Sequence, residues 1–192
     1  MKKVGVLSLQ GDFAAHGAAL SRAGAEPVYV RHAAQLDELD GLVIPGGEST
    51  TMLKLLNYEN MLGRLTDFGR TKPIFGTCAG AILLASEVSN PAQQSLGLMD
   101  IAVERNAYGR QVDSRVTVIQ PEKEFGDKTH PGEMEAVFIR APIIRKVGPG
   151  AKVLAEYGGD PVLVEQGRHL VATFHPELTS DTRVHEFFLS KL

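Results

Sequence analysis

The 192-residue sequence has a single cysteine, no apolar run approaching the eighteen or so residues of a membrane span, and no basic stripe. Each lack excludes something. One thiol cannot make an internal disulfide or a multi-thiolate metal site, which points to a reducing, cytoplasmic setting. The opening "MKKVGVLSLQGD" is too short in apolar residues for a signal sequence, and no small-residue cleavage site follows. A soluble protein with no membrane partner is therefore expected. The 20 Lys and Arg against 23 Asp and Glu leave a net charge of -3, so no nucleic-acid partner is expected either.

What is present is an ordinary globular composition, 43% hydrophobic and 22% charged, at a length suited to one domain over 1–192. Val4 to Leu9, "PVYV" (27–30), "GLVIP" (41–45) and "PIFGT" (73–77) read as short buried strands. Helical spacing lies between them at Ala14–Arg22, at Ser49–Leu65 with Ser49 or Thr50 as N-cap, and at "AGAILLA" after Cys78. Strand alternating with helix implies a mostly parallel sheet covered on both faces. The second half is richer in strands: "DIAVERN", "SRVTVIQ", "EAVFIRA", "AKVLAEY", "PVLVEQG" and "HLVATFH" follow closely, so antiparallel additions to the sheet are expected. "QGRH" (166–169) reads as a hairpin turn, and 181–191 as a closing amphipathic helix. The fold class is α/β, a single-domain three-layer sandwich of flavodoxin-like type.

The lone cysteine sits in "FGTCAG", between Gly76 and Gly80, where a strand turns into a helix. Glycine tolerates close backbone approach, so the two glycines allow a sharp turn of nucleophile-elbow type with Cys78 at its apex. The positive end of a helix favours the thiolate, the form that attacks. The bland alternative is a small buried hydrophobe. A nucleophile needs a base. Of six histidines, His16, His32, His130, His169 and His185 stand in polar or helical contexts and are expected to be unremarkable. His175 ends an apolar strand in "ATFHPELT", and Glu177 lies two residues on, on the same side of an extended chain. Pro176 favours that extension. His175 can then take the proton of Cys78 while Glu177 holds the ring, a triad with cysteine as nucleophile. In "IPGGEST", Gly46 and Gly47 can turn backbone N–H groups toward a developing oxyanion. The Walker lysine spacing of a phosphate loop is absent.

Taken in order, "PGGES", "GTCAG" and "FHPE" resemble the class I (triad) glutamine amidotransferases over nearly the whole chain. Together with "LSLQGD" (7–12) and "LGLMD…RNAYGRQ" (96–111), they are most similar to the glutaminase subunits of pyridoxal 5′-phosphate synthases. Other triad glutaminases usually carry glutamine four residues after the nucleophile, where this chain has Ile82. Ala81 stands where that branch commonly has a larger apolar residue.

The resemblance implies glutamine hydrolysis through a glutamyl thioester on Cys78, with His175 as acid and base and Glu177 orienting it. It implies glutamine contacts from Gly46, Gly47, Glu48, Arg105, Ile139 and Arg140, and oxyanion donors at the N–H groups of Gly47 and Ala79. It places Gln10 near the oxyanion loop and a partner interface. The implied partner is the (β/α)₈-barrel synthase subunit, in a complex of twelve plus twelve, which receives ammonia to make vitamin B6. Pyridoxal phosphate being the product, the resemblance implies no cofactor and no metal. Other readings of the same residues are the glutaminase of another biosynthetic pair such as imidazole glycerol phosphate synthase, a cysteine sensor or chaperone, and a thiol esterase. The pairing of "FHPE" with "PGGES" is required by neither of the last two.

Overall fold

The computed structural model describes residues 1–107 and 114–192. Tyr108–Gln111 of the "RNAYGRQ" signature lie outside them. The chain runs β1 (Lys3–Leu7), α1 (Phe13–Arg22), β2 (Glu26–Val30), β3 (Gly41–Ile44), α2 (Ser49–Tyr58), α3 (Leu62–Thr71), β4 (Ile74–Thr77) and α4 (Ala79–Leu84). It continues β5 (Ala85–Ser89), β6 (Met99–Glu104), β7 (Ser114–Ile119), α5 (Lys123–Lys128), β8 (Met134–Ile139) and β9 (Ile143–Val147). Last come β10 (Lys152–Tyr157), β11 (Asp160–Gln166), β12 (His169–Ala172) and α6 (Arg183–Leu189), with 3₁₀ turns at Ala33–Glu38 and Pro176–Leu178.

Seven strands form the central sheet in the order β10-β11-β12-β4-β3-β1-β2. The five from β12 to β2 are mutually parallel, and β11 and β10 extend the sheet antiparallel at one edge. Side chains alternate between its faces along the parallel strands. Val4, Val6, Val43, Phe75, Leu170 and Ala172 join one core with Leu20 of α1 and Val184, Phe187 and Phe188 of α6. Leu7, Leu42, Ile44, Ile74 and Val171 join the other, with Met52 and Leu56 of α2, Leu65 and Phe68 of α3, and Ile82 of α4. Both faces are thus covered, which is why these strands read as unbroken apolar runs. The α/β three-layer arrangement expected from the sequence is the one observed.

Several boundaries differ. The single helix expected over Ser49–Leu65 is two, because Asn60 adopts φ 53° and the chain turns there; Asn is among the few residues that take this conformation readily. Glu48, rather than Ser49 or Thr50, caps α2, accepting hydrogen bonds from Thr50 N and Thr51 N. The closing helix covers Arg183–Leu189 only. Of the second-half strands, β10, β11 and β12 enter the central sheet, β12 in parallel. "DIAVERN" instead pairs as β6 with β5 and β9, and "SRVTVIQ" and "EAVFIRA" pair as β7 with β8. Strand periodicity sets which face a residue takes but not which sheet it joins. The "QGRH" hairpin forms with Gln166 opposite His169 and Gly167 at φ 55°. No helix among the described residues is long and apolar enough to cross a membrane.

Candidate active site

The ends of β1, β3, β4 and β12 are neighbours along one edge of the parallel sheet, and the segments leaving them carry Gln10, Gly46–Glu48, Cys78 and His175. Open α/β sheets bind ligands at this carboxyl edge. Because β12 lies directly beside β4, residues almost a hundred positions apart in sequence meet there.

Cys78 sits at φ 50°, ψ -106°, between β4 and α4, a backbone conformation that costs a non-glycine residue free energy. Its neighbours make the turn feasible. A Cβ on Gly76 would lie 2.5 Å from the Gly80 carbonyl, and one on Gly80 would lie 2.1 Å from Ile44 O. Any side chain at either position would push the helix off the strand. Cys78 N donates to Ala172 O (2.9 Å), tying the apex to β12. With only six residues in α4 the helix dipole is modest, and an imidazole stands beside the sulfur in the same cavity.

That imidazole is His175. Its Nδ1 hydrogen-bonds Glu177 Oε1 at 2.6 Å, and the ring shares the wall of one cavity with Cys78. The chain is not extended through this pair: Pro176 opens a 3₁₀ turn that brings Glu177 back under His175. Burial works against a charged ring. The nearby Cys78 sulfur and the hydrogen-bonded Glu177 carboxylate outweigh it and push the His175 pKa up to about 10.

A cavity of about 260 Å³ opens over the sulfur, lined by Gly11, Asp12, Gly46, Gly47, Cys78, Ile139, Arg140, His175 and Leu178. Ile139 O is 4.0 Å from Cys78 Sγ, and Arg140 is held at φ 45°. On the other side Gly47 has φ 149°, and the Gln10 side chain lies where a Cβ of Gly47 would be. Glu48 N donates to Gln10 Oε1 at 3.1 Å. Ala79, the first residue of α4, has an N–H outside the intrahelical ladder.

Glu48 and Arg105 are brought together but do not line this cavity. Arg105 donates to Thr50 Oγ1 (2.7 Å) and lies 3.6 Å from Glu48 Oε1. Slight burial alone would raise the Glu48 pKa, but hydrogen bonds from Thr51 and Thr50 bring it down to about 2.

Two of the five histidines expected to be unremarkable are not. His16 on α1 and His185 on α6 are wholly buried and bonded to one another, and His16 reaches Thr77 and Glu177. His32 and His130 are exposed, while buried His169 accepts from Ile74 N. One signal for His16 was available: it lies four residues before Leu20, on the face of α1 turned to the core.

The family model described as SNO glutamine amidotransferase family matches residues 6–192. The chain is 69% identical over 192 residues, all of both chains, to the pyridoxal 5′-phosphate synthase subunit PdxT of Solibacter usitatus. It is 58% identical over 187 residues to the PdxT of Koribacter versatilis, covering 97% of this chain and 94% of that one. The crystal structure of a glutamine amidotransferase superposes with a TM-score of 0.89 at 44% identity, over 98% of this chain and 97% of the other.

Proposed function

The chain belongs to the SNO glutamine amidotransferase family, and from that premise we propose that it is the glutaminase subunit of a pyridoxal 5′-phosphate synthase, hydrolysing L-glutamine to L-glutamate and ammonia with Cys78, His175 and Glu177. The observation that carries the reading is Cys78 and His175 side by side on the wall of one cavity at the carboxyl edge of the sheet, with Glu177 hydrogen-bonded to the imidazole.

In this mechanism the Cys78 thiolate attacks the side-chain carboxamide carbon of glutamine, and the negative charge moves to the carboxamide oxygen. N–H groups of Gly47 and Ala79 receive that oxyanion; one such donor is worth about 10²- to 10³-fold in rate. The His175 imidazolium gives its proton to the departing nitrogen, ammonia leaves, and a glutamyl thioester remains. His175, now neutral, takes a proton from water, which adds to the thioester; glutamate departs and the sulfur regains its starting form. Glu177 keeps the ring aimed throughout. Gly46, Gly47, Ile139 and Arg140 border the cavity and contact the substrate there. Glu48 and Arg105, paired beside it, meet the amino-acid end of glutamine.

The acceptor of ammonia is the (β/α)₈-barrel synthase subunit, docked on the face that holds Gln10, in a twelve-plus-twelve complex. Ammonia free in water is largely protonated at neutral pH and not nucleophilic, so transfer between attached sites preserves its reactivity. Residues 1–192 act as one domain, in the cytoplasm, with no cofactor or metal of their own.

The test is a glutaminase assay with the synthase subunit present and absent. The protein releases ammonia readily only with its partner, and Cys78→Ala abolishes release. Equal rates with and without the partner would refute the coupling, and an active Cys78→Ala would refute the nucleophile.

A further inference from the structure

Glu177 has one oxygen engaged and one free. Oε1 hydrogen-bonds His175, whereas Oε2 is buried and accepts no hydrogen bond among the described residues. An unsatisfied buried oxygen is costly, so whatever faces it matters. What faces it is His16 Nε2, at 3.4 Å. The same nitrogen lies 3.0 Å from Thr77 Oγ1, on the residue just before Cys78. His16 Nδ1 is 3.0 Å from His185 Nε2, and Phe75 packs edge-on against both rings.

The network assigns the tautomers. Beside a carboxylate, His16 carries its proton on Nε2 and donates it to Thr77 Oγ1, with Glu177 Oε2 facing the same N–H at 3.4 Å. Nδ1 must then accept, and His185 Nε2–H donates to it. That leaves His185 Nδ1 as a bare acceptor, in keeping with its lack of a partner. Both rings are neutral: burial, reinforced by His185 and His175, holds His16 well below the ordinary imidazole range, and burial with Arg22 nearby brings His185 to about 3. The groups facing His16 are His185 from α6, Thr77 from β4, and His175 and Glu177 from the segment after β12. A neutral ring with its proton fixed on one nitrogen is a directional donor.

Resting on the reading of Cys78, His175 and Glu177 as a triad, we infer that His16 is a positioning residue for that reaction. It holds the second oxygen of Glu177 so that the first meets His175, and His185 fixes the tautomer that lets it do so. No proton has to pass beyond His175; the outer two histidines set orientation.

The test compares His16→Leu, His16→Gln and His185→Leu in the glutaminase assay with the synthase subunit present, each normalised to folded protein by circular dichroism. Leaving a buried polar group without the donor that faces it corresponds to about ten- to a hundredfold. His16→Leu lowers kcat by about that factor with KM for glutamine within about twofold. His16→Gln, whose carboxamide can donate, recovers most of it, and His185→Leu loses a few-fold. Placed on Glu177→Ala, His16→Leu causes no further loss, because the group it positions is gone. Parent-like kcat in folded His16→Leu, equal losses in His16→Leu and His16→Gln, or a fully additive loss on Glu177→Ala would each overturn the inference while inactive Cys78→Ala leaves the triad standing. Should His16→Leu not fold, parent-like kcat in folded His185→Leu overturns it. An active Cys78→Ala would remove the triad and this inference with it.

Discussion

Gly46 and His175 face each other so closely that a Cβ on the glycine would lie 2.6 Å from the imidazole Cε1 and 3.2 Å from Cys78 Cβ. The loop after β3 therefore forms the back wall against which the sulfur and the ring are set. Gly46 serves by having no side chain.

Gly46→Ala is expected to push His175 away from Cys78 by a substantial fraction of an ångström. Misplacement on that scale costs about 10²-fold in rate. Steady-state glutaminase kinetics with the synthase subunit, beside a thermal melt showing a folded protein, check this. An unchanged kcat would mean that the ring relaxes without consequence.

The pH dependence follows from the raised His175 pKa. The imidazolium is favoured, so glutaminase activity holds through neutral pH and falls on the alkaline side as His175 deprotonates near 10. Glu177→Gln removes a carboxylate that supports the charge, and its alkaline limb moves to lower pH. Stability behaves likewise. The folded pKa lies above the unfolded value of 6.5, so this contribution is complete below about 6.5 and is lost as pH rises toward 10. Rate profiles and urea melts of parent and variant between pH 6 and 10 test both.

His16 and His185 give the opposite dependence. Their folded pKa values lie below 6.5, so their contribution is present above 6.5 and is lost as pH falls, toward about 3 for His185. Each group takes up a proton on unfolding and steepens the acid loss by up to about 1.4 kcal/mol per pH unit. Urea melts between pH 6.5 and 4 are expected to show a shallower decline for His185→Leu than for the parent.

Arg183 is buried and forks between Asp181 and the backbone oxygens of His130, Gly132 and Glu133. Arg183→Met strands the half-buried Asp181 carboxylate and three carbonyls, and losing hydrogen bonds to a charged group costs about 1.5 to 3 kcal/mol. Denaturant unfolding at neutral pH measures it; a loss under about 1 kcal/mol would show that water replaces the guanidinium.

Arg105→Met removes the partner of Glu48 and Thr50 at the start of α2. With these residues as glutamine contacts, KM for glutamine rises about tenfold or more while kcat in the assembled complex changes far less. A kcat loss at constant KM would assign Arg105 to something other than binding.

The elements of the first half were legible because parallel strands buried on both faces leave unbroken apolar runs, and Gly24, Gly46 and Gly47 punctuate them. The split at Asn60 was not, since one residue at positive φ leaves the surrounding helical spacing intact. Nor was the division of the second-half strands among three sheets, which depends on partners far along the chain. At the site, local motifs marked Cys78, Gly46, Gly47, His175 and Glu177. His16 and His185 were passed over because each sits on a helix whose pattern treats it as one more core position.

Residue order alone determined the turn after β4, with a thiol at its apex and glycines where no side chain fits, and put His175 two residues from Glu177. Those are local matters of backbone sterics. Tertiary structure decided that β12 inserts beside β4, and so that an imidazole meets this thiol and that α1 and α6 close a histidine pair behind the carboxylate. Such meetings come from strand order and layer packing, and no short stretch of chain records which distant segment will lie across from it.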